Sequence, residues 1–197
     1  MGTRPRPEET KRNLVREIVQ SVLQEKMFSL EIQQILIKEK EDLTEVSCSF
    51  TEFVGKKKKS KKFKYQTVGA VNGLFNGVAN LYSEEYQSLK NIKFSGFCIN
   101  ADIDTRKTPT GADSEVLVVL ETENRDGKVM IFRHKGRSIN SSSARVVFDS
   151  IEFYINCEKA FSVLCERVGD AKRRGRYDVS DRYTSQLVEI VNVTTLD

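Results

Sequence analysis

Residues 67–82 read TVGAVNGLFNGVANLY, with glycines at 69, 73 and 77 and no charged side chain. Val71, Leu74, Phe75, Val78 and Tyr82 recur at three- and four-residue spacing, which predicts an amphipathic helix. A glycine inside a helix costs about 1 kcal/mol against alanine, so a series of them at four-residue intervals needs a physical reason. At the helix mouth, Gly69 would let a ligand approach the backbone closely. There the unpaired N–H groups and the positive end of the helix dipole suit a carboxylate. Gly73 and Gly77 make a flat strip that another helix or a sheet can approach, and packing of the helix on its own sheet would account for it equally.

Upstream, residues 8–26 read as a helix with Leu14, Val15, Ile18, Val19, Val22 and Leu23 on one wide face and Glu8 and Glu9 at its start. From Phe28 the period changes to two. Phe28, Leu30 and Ile32 alternate, then Ile35 and Ile37, which predicts a strand with a bulge. Val46, Cys48 and Phe50 alternate with Ser47, Ser49 and Thr51 in a second strand. The lysine-rich VGKKKKSKK reads as a polar turn before a short strand, FKYQT. Downstream of the helix the order repeats. NIKFSGFCIN is a strand, SEVLVVLET is apolar on both faces and therefore central, and KVMIFRHK is a third strand. The Asp126-Gly127 step between the last two suits a type I′ turn. A helix follows with Ala144, Val147, Phe148, Ile151, Tyr154 and Ile155, and Asn140 and Ser141 to Ser143 are N-cap candidates.

Strand-strand-strand-helix twice over predicts an α+β fold of two stacked βββα units, in which two open apolar sheet faces cover each other. The expected organisation is an N-terminal arm and helix over 1–27, a double βββα domain over 28–168 (units 28–86 and 89–168), and a basic linker and tail over 169–197. Periodicity leaves Leu187, Val188, Ile190, Val191 and Val193 open between strand and helix. Two units with exposed sheet faces also point to a homodimer.

The 197 residues hold 39% hydrophobic and 30% charged side chains with a net charge of +4, an ordinary globular balance. No apolar run approaches the eighteen or so residues that span a bilayer, and the first residues lack a signal-peptide core, so the expected compartment is the cytoplasm, with no membrane partner. Cys48, Cys98, Cys157 and Cys165 are widely spaced and read as buried reduced thiols. With His134 the single histidine and no close ligand pairs, neither a metal site nor a cofactor is expected. His134 reads as structural or solvent-facing. Asp102, Asp104 and Asp113 lack the spacing of a calcium loop. No nucleophile elbow or P-loop is present, so the chain is expected not to be an enzyme.

The segment Thr67-Val68-Gly69-Ala70-Val71-Asn72-Gly73-Leu74-Phe75 resembles the G-(N/D)-G-P-V-D-A-L-F motif that opens the first helix in the C-terminal regulatory domain of 2-isopropylmalate and citramalate synthases. Thr110-Gly111-Ala112 stands where that family carries T-D-A, and Gly136-Arg137-Ser138 stands at its glycine-rich step before the last helix. The resemblance covers about 135 residues. It implies a dimeric, non-catalytic domain that binds a branched-chain amino acid between regulatory domains and acts on a separate catalytic subunit. It places the effector against Gly69, Ala70, Val71 and Asn72, with Gly111 and Ala112 facing them and Ile92 and Phe94 near the apolar pocket. The family's proline is Ala70 here, and its two aspartates are Asn72 and Gly111, which leaves an ammonium group fewer anionic partners.

A second class of function follows from charge. Lys56 to Lys59, Lys61 and Lys62, with Arg173, Arg174 and Arg176, would serve a nucleic-acid-associated scaffold. No interleaved aromatic residues accompany them for base stacking, and a solvated basic turn that discourages edge pairing is the simpler alternative.

Overall fold

The computed structural model describes residues 7–101, 115–194 and 196. Gly111, Ala112, Asp102, Asp104 and Asp113 lie outside the described residues. Helix α1 (Pro7–Leu23) ends in a short 3-10 turn, Gln24–Lys26, where Gln24 takes a φ of 50°. Strands β1 (Phe28–Lys40), β2 (Leu43–Val54) and β3 (Lys57–Thr67) form one antiparallel sheet in that order, followed by α2 (Ala70–Tyr82). Strands β4 (Ile92–Ala101), β5 (Val116–Asn124) and β6 (Val129–Gly136) form the second sheet, followed by α3 (Ile139–Arg173) and α4 (Tyr177–Thr194). The fold is α+β with two βββα units.

The alternations in sequence become the inner faces of the sheets. Phe28, Leu30, Val46, Cys48 and Phe50 are buried in the first sheet, and Val118, Leu120, Met130 and Phe132 in the second. The bulge in β1 falls between Ile32 and Gln34, and β4 carries another between Phe94 and Gly96. β5 is central.

The two apolar sheet faces do not simply cover each other, because α2 and α3 form a layer between them. On α3, Phe148 meets Phe50 of the first sheet at 5.2 Å between ring centroids, while Tyr154 meets Phe132 of the second at 6.2 Å. On α2, a Cβ at Gly77 would fall 2.3 Å from the Phe63 ring and one at Gly73 would fall 2.7 Å from Val46. The glycine strip therefore seats α2 on its own sheet, and the cost in helix propensity is offset by close packing.

Several local features differ from the sequence reading. The lysine run is not a turn. The turn is Gly55-Lys56, and Lys57 to Lys62 lie in β3, an edge strand paired with β2. Asp126 has negative φ and Gly127 has φ 76°, with the Gly127 N–H on the Asn124 carbonyl, so the hairpin is not type I′. It is the longer loop with glycine in the left-handed region, which also suits strand twist. The α3 N-cap is Ser138, whose hydroxyl accepts from the Ser141 N–H, and Asn140 and Ser141 to Ser143 are already helical. Cys48 and Cys157 are buried, but Cys98 and Cys165 are exposed.

The span from 169 is also not a linker and tail. α3 continues through Gly169 to Arg173, a short turn holds Gly175 at φ 68°, and α4 returns along α3. Val15, Val19, Val22 and Leu23 of α1 and Ile190 and Val193 of α4 join the same core as the sheets.

Replacing Gly77 with leucine must displace the Phe63 ring. The expected outcome is a loss of about 1–3 kcal/mol by overpacking, read as a lower midpoint in urea. An unchanged midpoint would place this face of α2 away from the sheet.

Candidate functional site

The expected effector site begins at the mouth of α2. Gly69 is the N-cap at φ 84° and ψ 136°, a conformation open to glycine and strained for other residues. Its own N–H donates to Thr44 Oγ1 at 3.2 Å, and among the described residues no side chain caps the helix. The first turn carries no acidic residue. Ala70, Val71 and Asn72 thus bring helix N–H groups to an uncapped end, where an anion is favoured. A Cβ at Gly69 would meet nothing within 4 Å, so the mouth is open.

Asn72 stands in place of the family's aspartate, and its amide is already engaged. Its Nδ2 donates to Thr67 Oγ1 at 3.3 Å, and its Oδ1 accepts from Asn76 Nδ2 at 2.7 Å. Phe94 reaches α2 through Phe75, with ring centroids 6.1 Å apart, and Ile92 is buried in the core. β4 thus touches the body of α2 at Phe75, and Gly111 and Ala112 are outside the described residues.

The alternative cationic contacts are spread out. Lys57, Lys59 and Lys61 alternate in β3 with Lys58 and Lys62, so strand geometry sends them to opposite faces. Lys61 is committed to the fold. Its ammonium lies 2.6 Å from Glu52 and 4.1 Å from the centre of the Tyr82 ring, whose hydroxyl also donates to Glu52. Lys56 to Lys59 and Lys62 are exposed. Arg173 and Arg174 both reach Asp170, at 3.6 and 2.9 Å, and Arg176 is exposed at the α3–α4 turn. His134 on β6 is half-buried, and its Nδ1 has no hydrogen-bond partner. Among the described residues no group of His, Cys, Asp and Glu is arranged to hold a metal ion.

A polar seam that the sequence reading missed joins the two units. β1 is an edge strand, and its outward main-chain groups at Phe28 and Leu30 face α3 instead of another strand. Asn156 accepts from the Phe28 N–H at 2.8 Å and donates to the Phe28 carbonyl at 2.8 Å. Glu152 accepts from the Leu30 N–H at 2.8 Å, and Arg145 donates to the Leu30 carbonyl at 2.9 Å. Arg145 also pairs with Asp149 at 2.7 Å and Glu152 at 3.3 Å. The signal was a row of polar residues at 145, 149, 152 and 156, at helical spacing on a helix otherwise read by its apolar face.

Beside this seam lies a cleft of about 290 Å³ between α1, the start of β1, the middle of β6 and α3. Val19, Phe28, Phe132 and Phe153 supply its apolar lining, and Arg12, Arg16, Arg133 and Arg145 its cations. Arg12 donates to the Ile131 carbonyl on the free edge of β6 and lies over the Phe132 ring, 5.4 Å from its centre. Arg133 pairs with Glu9 at 2.7 Å. Burial lowers the Arg12 guanidinium from its ordinary value; Glu9 opposes that, and the like charges of Arg16 and Arg133 add to it.

Compared with known protein families and with curated protein sequences, the chain matches none.

Burial pushes the Glu152 carboxyl up to about 7, against Arg145 and the Leu30 N–H, which favour the charged form. A carboxyl raised on folding binds its proton more tightly in the folded state, so its stabilising contribution is full below the unfolded value and is lost as pH rises through about 7. The wild type is therefore expected to lose stability between pH 5 and pH 7 relative to Glu152→Gln. Urea midpoints of the two proteins across that range measure the difference, and parallel curves would contradict it.

Proposed function

We propose that this chain is a non-catalytic, homodimeric regulatory module that binds a branched-chain amino acid and acts on a separate catalytic subunit. The observation that carries this reading is the uncapped mouth of α2, at Gly69 to Asn72, set in a double βββα fold; Phe94 of β4 meets the same helix at Phe75. The helix N-terminus offers N–H groups to the ligand carboxylate, and Val71 with the Ile92–Phe94 strand offers the apolar contact. These features accord with the resemblance to the regulatory domain of 2-isopropylmalate and citramalate synthases. Val68, 72% exposed next to the mouth, supplies apolar surface where a second copy would complete the pocket.

The nucleic-acid reading has less support, because the lysine run is divided between two faces of an edge strand and Lys61 is tied to Glu52. The two readings separate on salt. Affinity for a short RNA falls steeply with ionic strength when several phosphates are neutralised, whereas amino-acid binding hardly responds.

Leucine or isoleucine at 100 times its dissociation constant is expected to stabilise the fold by about 2.7 kcal/mol, visible as a rise in Tm. Gly69→Val should remove the rise and Lys57→Ala should keep it. Absence of binding heat for either amino acid at millimolar concentration would contradict the proposal. Sedimentation is expected to give about twice the monomer's 22.5 kDa, and a monomer at micromolar concentration would contradict the dimer.

A further inference from the structure

Four arginines and two carboxylates line the cleft between α1 and α3. Arg12 and Arg16 reach it from α1, Arg133 from β6 and Arg145 from α3. Three of the four heads are held in place: Arg12 by the Ile131 carbonyl and the Phe132 ring, Arg133 by Glu9, and Arg145 by Asp149, Glu152 and the Leu30 carbonyl. A guanidinium has five N–H donors, so partners that fix each head leave donors over for a ligand. Arg16 differs from the rest. It is exposed on α1, lines the cleft, and makes no hydrogen bond or ion pair among the described residues. Preorganised guanidinium groups are the side chains best matched to oxyanions.

We propose that this cleft binds a small organic oxyanion, a phosphate monoester or a carboxylate carried on an apolar body. Arg16 and Arg12 take the anionic head from the α1 side, while Phe28, Phe132 and Phe153 receive the body. The volume of about 290 Å³ lies at the small end of ligand pockets, which suits a single ring or a short chain. The carboxylates Asp149 and Glu152 also line the cleft and are paired with Arg145, so the head of the ligand is taken on the α1 side. This site is separate from the α2 mouth and does not depend on an amino acid binding there.

The test uses the full chain with phenyl phosphate, benzoate and inorganic phosphate in calorimetric titrations at physiological salt. Saturable binding of phenyl phosphate or benzoate is expected, with inorganic phosphate weaker because it lacks the apolar body. Whichever organic probe binds more tightly names the headgroup. Arg16→Ala, at an exposed position without structural partners, should fold normally and bind roughly tenfold more weakly, the loss of one charge-assisted hydrogen bond. Leucine titrated in parallel into the wild type and Arg16→Ala reads the α2 mouth by itself, so failure of leucine binding and failure of this site are told apart. No saturable binding by either organic probe, equal affinity for inorganic phosphate, or unchanged affinity in Arg16→Ala would each overturn the proposal.

Discussion

The two βββα units are held as one body by a set of side-chain to main-chain hydrogen bonds from α3 to the open edge of β1. Asn156, Glu152 and Arg145 pair with the N–H and carbonyl groups of Phe28 and Leu30. A strand edge left open inside a fold would bury polar main-chain groups without partners, at about 1–3 kcal/mol each. An edge left open to solvent would be a template for association. Here the helix of the second unit supplies the partners that a fourth strand would otherwise give. The helix layer can then sit between two sheets while Phe148 and Tyr154 face opposite ways from the same helix.

The same seam places the arginine-lined cleft. Fixing β1 against α3 brings the start of β1 beside the middle of β6, and α1 roofs the gap with Arg12 on the Ile131 carbonyl. Each unit thus has an edge strand closed by side chains from a helix: β1 by α3 and β6 by α1. The arginine-lined cleft is the space between those two closures. On the other side of the layer, Gly73 and Gly77 let α2 settle onto Val46 and Phe63, and that depth sets where the uncapped mouth at Gly69 emerges. The effector reading and the oxyanion cleft are therefore consequences of how closely each helix approaches its sheet.

Much of this was legible in sequence because burial on one face writes a period into the chain. The alternation of Val46, Cys48 and Phe50, the doubly apolar β5 and the glycine-spaced α2 each reflect a single neighbour on a known side. What escaped was set by tertiary partners. The lysines at 57 to 62 read as a turn by composition, yet their pairing with β2 makes them an edge strand, because β2 supplies the ladder and Glu52 neutralises Lys61. Helix α3 runs through Gly169 because α4 packs back along it. Among the candidate site residues, Gly69 to Asn72 fall where the motif spacing put them, at the helix mouth. Arg12, Arg16, Arg145, Glu152 and Asn156 went unread, since polar residues at helical spacing look like a solvated face until the strand edge they serve is in view.

The account stands on the β1 edge being closed by α3, and amide hydrogen exchange at Phe28 and Leu30 reads that closure directly. These two N–H groups point away from β2, and among the described residues Asn156 and Glu152 are their partners. The account predicts that both exchange only with global unfolding, as slowly as the core amides of β2, and that Asn156→Ala accelerates Phe28 selectively. Exchange of Phe28 and Leu30 at the rate of an unpaired edge strand, with the rest of the sheet protected, would contradict it.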